Sequence, residues 1–347
     1  LTIESGTALI GSLTEFKKVT VESDAVLDLD ADLIADLTFI SDLTGIAQLA
    51  DLSGSNIVPD TSGTTQTTSA NTNSITGNVT VERFIPVKSN DTRAFRFLTS
   101  AVNSNKPIRA NWQEGVNNTG TAFPADNKNP NPGYGTHITG STTGDNGFDA
   151  SISGNPSMYT FNNSFTGADQ SNAWNAIPNT NSKKLKAGKA YRIFIRGDRG
   201  YNLSSDPADA PNSDVTLRAT GDLITGIHTE TLSDKGGYYS LVGNPYQAIV
   251  DMNAVMANPG TNNVNTNYYW IWDPNLSPND NKGAYVAVDL SDGSLSDPSD
   301  DSTITSSDAN EFVMPGQSFF VQTASEGSAD LQFKEGSKNV SKSSTEV

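Results

Sequence analysis

Only two histidines, His137 and His228, occur in the 347 residues, so a hydrolytic reading has to begin with them. Hydrolysis needs a nucleophile with a base, or two carboxylates, held on a rigid cleft. His137 lies in Gly-Tyr-Gly-Thr-His-Ile-Thr-Gly (133–140) and has no sequence neighbour that would complete a triad. It is read as satisfying backbone groups, and His228, in a polar hairpin-like segment, is read the same way. The run Gly-Ser-Thr-Thr-Gly (140–144) lacks the central serine of a nucleophile elbow. Zinc, phosphate-loop and dinucleotide spacings are also missing from the sequence. A chain that is not an enzyme is the expectation.

Calcium is the best metal candidate, because hard cations take clustered carboxylate and carbonyl oxygens. The densest acidic stretch, 289–311, includes Asp292, Asp297, Asp300, Asp301 and Asp308, and residues 283–333 contain no Lys or Arg. The order of an EF-hand is missing, so a solvated acidic loop is favoured over a calcium site. Asp28, Asp30 and Asp32 alternate, which on a strand would put three carboxylates on one face.

Aromatic residues offer a binding chemistry of another kind, since a flat exposed ring receives the apolar face of a pyranose. Trp112 and Trp174 sit near loops and are the candidate glycan-binding rings. Tyr268, Trp270 and Trp272 fall on one face of a strand, and a row of three large rings is read first as core. Arg83, Arg93, Arg96, Arg192, Arg196 and Arg199 accompany the most regular strands and are read as scaffold ion pairs or cross-strand pairs.

The elements that must position these residues are strands. Three segments, Leu1-Thr2-Ile3-Glu4-Ser5, Val19-Thr20-Val21-Glu22-Ser23 and Leu37-Thr38-Phe39-Ile40-Ser41, start 18 residues apart. A short strand recurring at a fixed interval predicts stacked β-solenoid rungs, each burying its inward residues against the next. Val79-Thr80-Val81-Glu82 reads as a fourth copy, displaced by 42 residues across a polar tract at 53–74 that reads as an inserted loop. At Gly77 the pattern changes, and 79–85 and 94–97 are predicted as two strands in hairpin order. Long loops rich in Asn, Gly, Thr, Ser and Pro follow, with 158–161 the clearest strand among them.

From Tyr191 the strands are plain: 191–196, 214–220, 238–243, 268–273, 284–289, 317–322 and 330–333, with one short helix expected around 248–257. Seven such strands separated by turn residues predict an antiparallel β-sandwich of jelly-roll type. The expected organisation is therefore all-β: solenoid rungs over 1–76, a sandwich domain over 77–335 and a linker or tail over 336–347.

Composition narrows the function classes. Acidic residues number 39 against 22 basic, a net charge of −17, so nucleic acid and anionic lipid are repelled. Cysteine is absent, which suits a bacterial surface protein held by its core alone. No apolar run approaches the roughly 18 residues of a membrane span, so membrane insertion is not expected. Leu1 already lies in a strand-like pattern, and the sequence is read as a processed product or fragment of a longer chain.

Over about 37–335 the chain resembles a region recurrent in large secreted surface proteins of Bacteroidetes, especially flavobacteria, exported by the type IX secretion system. The residues that carry the resemblance are GIAQLAD (45–51), GNVTVERFIP (77–86), RAFRFL (93–98), NWQEG (111–115), GYGTHITG (133–140), YRIFIRGDRG (191–200), LVGNPYQAIVD (241–251), WDP (272–274), GAYV (283–286) and MPGQSFFVQT (314–323). The resemblance implies an extracellular location at the outer cell surface, in a region that precedes a C-terminal sorting domain. The function expected is a non-catalytic structural or adhesive module. Its partners would be an extracellular polymer such as a polysaccharide, or neighbouring surface proteins. The alternative is a carbohydrate-binding module attached to a polysaccharide-degrading enzyme.

Overall fold

The computed structural model describes residues 1–12, 14–29, 32–50, 52, 75–87, 93–120, 127–203, 213–276 and 283–342. The fold is all-β. Its one α-helix among the described residues, Met252–Met256, falls inside the expected segment. The Asp251 side chain opens that helix by accepting from the Asn253 and Ala254 backbone N–H groups.

The sequence interval is the register of a ladder. Thr2–Ile3, Thr14–Val21, Leu33–Phe39 and Val79–Ile85 pair in parallel, so that Ile3, Val21, Phe39 and Val81 stand in one row. The first two steps are 18 residues (3 to 21, 21 to 39) and the third is 42 (39 to 81). All four side chains are buried, and burying each such apolar side chain stabilises by roughly 1.5–3 kcal/mol. The alternate row, Thr2, Thr20, Thr38 and Thr80, points the other way, as the period-two pleat requires. A second parallel ladder, Thr7–Ile10, Val26–Leu29 and Gln48–Leu49, puts Leu27, Leu29 and Leu49 into the same core. Gly77 is needed where the chain re-enters the first ladder: its φ is +139°, and a Cβ there would lie 1.9 Å from the Ala35 carbonyl oxygen.

The hairpin expected from 79–85 and 94–97 does not form. Both edges of Val79–Ile85 are occupied, one by Leu33–Phe39 and the other by Val215–Leu223 in seven antiparallel pairs. Ala94–Leu98 joins Tyr191–Ile195 in another sheet. The reason is that Ala94–Leu98 is apolar on both faces, sending Leu98 into one core and Phe97 into another. A two-stranded hairpin would leave one of those faces in water.

One apolar core runs from Ile3 to Ala219, and a second gathers residues between Leu232 and Phe333. The end of the second ladder, at Gln48–Leu49, is tied to the later part of the chain. Leu49 N–H donates to Gln247 O at 2.7 Å, Gln247 Nε2 to Ala47 O at 2.8 Å, and Ile249 N–H to Gln48 Oε1 at 2.8 Å. The segment read as a tail also packs at its start. Lys338 and Glu335 form a buried ion pair at 2.7 Å, Glu335 Oε2 accepts from Leu52 N–H, and Asn339 N–H donates to Ile249 O. The linker or tail expected over 336–347 is thereby corrected for its described part, 336–342, because Lys338 has its charge partner in the body, and 343–347 lie outside the described residues. The tract 53–74 lies outside the described residues.

Candidate functional site: an aromatic cleft between two sheets

Two antiparallel sheets face each other across a layer of rings. Among the described residues one has four strands, ordered Ala94–Leu98, Tyr191–Ile195, Met158–Phe161 and Trp174–Ala176. The other has five: Tyr239–Gly243, Ser318–Gln322, Tyr268–Asp273, Ala284–Asp289 and Leu295–Ser296. Strand alternation gives each sheet two uses. Tyr191, Ile193 and Ile195 enter the first core, while Arg192 looks into the ring layer. Tyr269 and Ile271 enter the second core, while Tyr268, Trp270 and Trp272 join the ring layer. The row read from the sequence is therefore real, and it packs. Phe97 stacks on Trp272 with centroids 5.5 Å apart, and Trp272 Nε1 donates to Phe95 O at 3.1 Å.

At one end the layer opens into a cleft of about 310 Å³, lined by Phe161, Trp174, Tyr239, Trp270, Tyr285 and Phe320, with Gln170, Ser171 and Pro298 at its margins. Its walls meet nearly at right angles: Tyr239 on Trp270 at 4.9 Å and 90°, Phe161 on Trp174 at 5.0 Å and 76°. Side-chain amides hold the cleft's outer strand in place. Gln170 Nε2 donates to Tyr239 O and Gln170 Oε1 accepts from Tyr239 N–H, and Asn163 bridges Leu241 N–H and O in the same way. These amides stand in for a further strand on an otherwise open sheet edge. Burial pushes the Tyr285 hydroxyl up to about 12 and that of Tyr239 upward, so both are protonated donors at neutral pH.

Of the two tryptophans singled out in the sequence, only Trp174 reaches this cleft. Trp112 is 3% exposed and packs edge-on against Tyr191 in the first core, so the expectation of an exposed ring is corrected there. Its signal was misleading because the loops around it fold back over it: Thr136 N–H donates to the Trp112 carbonyl. Tyr239, Tyr285 and Phe320, which complete the cleft, were not singled out. Their signal was aromatic residues at facing positions of separate strands, which no single stretch displays.

The acidic loop does not gather its carboxylates. Asp289, Asp292, Asp297 and Asp300 each accept, through Oδ1, from the backbone N–H of the serine two residues on. Asp-x-Ser recurs there because the side chain closes a local turn. Asp292, Asp300 and Asp301 are exposed and Asp297 half-exposed. Among the described residues no three carboxylate or imidazole groups converge as a metal set, which corrects the tentative calcium cluster. Asp30 lies outside the described residues.

The arginines divide. Arg199 forms a buried ion pair with Asp149, and the half-exposed Arg218 pairs with Glu114. Arg192 and Arg196 instead lie on rings, Arg192 at 4.0 Å from the Trp174 centroid and Arg196 at 4.8 Å from that of Phe194. Of the ion pairs or cross-strand pairs expected, Arg192 makes a cross-strand pair, lying 4.7 Å from the ring of Tyr159 opposite it, and both arginines make cation–π contacts. Burial lowers the pKa of both, that of Arg196 to about 10.

His137 is fully buried. Its Nε2 donates to Tyr201 O at 2.9 Å and its Nδ1 lies 3.4 Å from Asp149 Oδ2. The ring thus meets backbone and a buried carboxylate. His228 Nε2 lies 2.8 Å from Glu230 Oε1 on a paired strand. Glu82 stands out in the first core: burial pushes its carboxyl up to about 7, against the pull of the Ser41 backbone and the Arg218 charge.

Comparison with models of known protein families, with curated proteins and with solved structures finds no match for this chain.

Proposed function

We propose that the chain is a non-catalytic structural and adhesive module of an extracellular surface protein, in which β-solenoid rungs run into an antiparallel β-sandwich. The observation that carries this reading is the row Ile3, Val21, Phe39 and Val81, paired in register at the intervals the sequence repeats. Rungs of this kind give reach and stiffness, because each one buries its apolar row against the next. The two sheets that face each other across the ring layer support the sandwich. The surface location rests on the resemblance to secreted Bacteroidetes proteins, and the net charge of −17 accords with it. The test is retention of protein-coated beads under flow on surfaces coated with neutral polysaccharide. Retention above that of albumin-coated beads is the expected result, and retention at the albumin level on every surface contradicts the adhesive role.

A further inference from the structure

We propose that the cleft between the two sheets is a binding site for a single neutral hexopyranose ring. The inference is independent of the ladders and would hold if they served only as a spacer.

Buried tyrosine and tryptophan rings ordinarily find a partner for their polar end. Trp272 does so, through Phe95 O. Four other rings that line the cleft do not. The indole N–H groups of Trp174 and Trp270 and the hydroxyls of Tyr239 and Tyr285 make no hydrogen bond among the described residues, and all four atoms still reach solvent. Four residues whose polar atoms lack a protein partner among the described residues therefore line one cleft, together with Phe161, Phe320 and Pro298 and the polar Gln170 and Ser171. Tyr239 and Tyr285 stay protonated, since burial raises both.

That combination selects a ligand. A purely apolar guest would leave the four donors unpaired on desolvation, which is unfavourable for each. A pyranose presents C–H groups to a ring face and hydroxyl oxygens around its edge, so it matches both parts of the lining. The volume, about 310 Å³, is at the small end of ligand pockets (roughly 300–1,000 Å³) and suits one ring. Charge favours a neutral sugar. Pro298 at the margin sits between Asp297 and Ser299, with Asp300 and Asp301 following, and the nearby Arg192 already lies on the Trp174 ring. An anionic sugar would enter past that acidic loop.

The experiment uses the whole chain and saturation-transfer NMR with the methyl pyranosides of glucose, galactose and mannose as probes. Tyr239→Phe and Tyr285→Phe each remove one hydroxyl and keep the ring. Tyr159→Phe is the control, since the Tyr159 hydroxyl bonds to Pro156 O rather than lining the cleft. The expected result is transfer to at least one pyranoside, weakened about fivefold in each cleft variant, the equivalent of one neutral hydrogen bond, and unchanged in Tyr159→Phe. No transfer to any of the three overturns the proposal. So does sugar binding that is indifferent to both cleft variants, or a cleft that takes p-cresol and no sugar, which would mark it as a slot for an aromatic side chain. Bead retention without pyranoside transfer would sink this site and leave the adhesive reading standing.

Discussion

Arg199 grips both carboxylate oxygens of Asp149, at 2.8 and 2.9 Å, with neither side chain reaching solvent. The same carboxylate accepts from the backbone N–H groups of Asn118 and Ile138 and from Gln113 Nε2. Arg199 in turn donates to Lys128 O and Thr136 O. One ion pair thus ties the loop residues Gln113, Asn118, Lys128, Thr136 and Ile138 to the segment that follows the strand ending at Ile195. Burial alone would raise the Asp149 pKa. The hydrogen bonds and charges of His137 and Arg199 more than offset it and hold the group below the usual carboxylate range.

Replacing Asp149 by Asn leaves the Arg199 charge buried without its counterion. Breaking such a pair from one side destabilises by roughly 3–5 kcal/mol. Urea unfolding of the variant should show a loss of that order, and a loss below about 1 kcal/mol would contradict the anchoring role. The pH dependence has a fixed sign. Because the folded pKa is depressed, the stabilisation is complete above the ordinary Asp value and is lost as the pH falls through the acid range toward the folded value.

Glu82 titrates in the opposite sense. Its carboxyl has an ordinary value of 4.5 and is pushed up to about 7 by burial. Stability from this site is complete below pH 4.5 and declines as the pH rises through about 7, by up to about 3 kcal/mol. Melting curves from pH 5 to 8 should fall in the native protein and flatten in Glu82→Gln. Parallel curves for the two proteins would show that Glu82 is not the titrating group.

Gly77→Ala tests the entry into the ladder. An alanine there would need a strained φ of +139° and a Cβ 1.9 Å from the Ala35 oxygen. A loss on the order of 2–4 kcal/mol is expected in denaturant unfolding. Gly226→Ala is the comparison, also at positive φ but with no atom within 4 Å of the added carbon. Equal losses in the two variants would mean that backbone strain alone, without the contact, accounts for the effect.

Chelator should leave the melting temperature where it is. The aspartates of 289–300 spend an oxygen on their own turns rather than pointing at a common centre. A fall of several degrees on adding chelator, restored by calcium, would place an ion in that loop.

Much of the strand inventory was legible in the sequence because its signal is local. Tyr268–Asp273, Ala284–Asp289 and Asp330–Phe333 occur at the residues that alternation predicted. The register Ile3, Val21, Phe39 was legible for a different reason, since a repeat fixes distant pairings by its own period. Partners without a repeat were not. Nothing near Ala94–Leu98 says that Tyr191–Ile195 is its neighbour, and the shorter connection to Val79–Ile85 misled. The cleft was half legible. Trp174 and the Tyr268–Trp272 row carry their own aromatic signal. Tyr239, Tyr285 and Phe320 enter it only through the pairing of strands, and Trp112 is covered by loops whose course depends on the buried Asp149–Arg199 pair.

The stacking itself is tested most directly by duplicating residues 19–36 in tandem within the whole chain and measuring its melting temperature. An added unit of one sequence interval should slot between Thr14–Val21 and Leu33–Phe39 as another parallel strand, about 4.8 Å further along the ladder. The result expected is a cooperative transition within a few degrees of the parent. A chain that no longer melts cooperatively, or that aggregates, would contradict the proposed rungs.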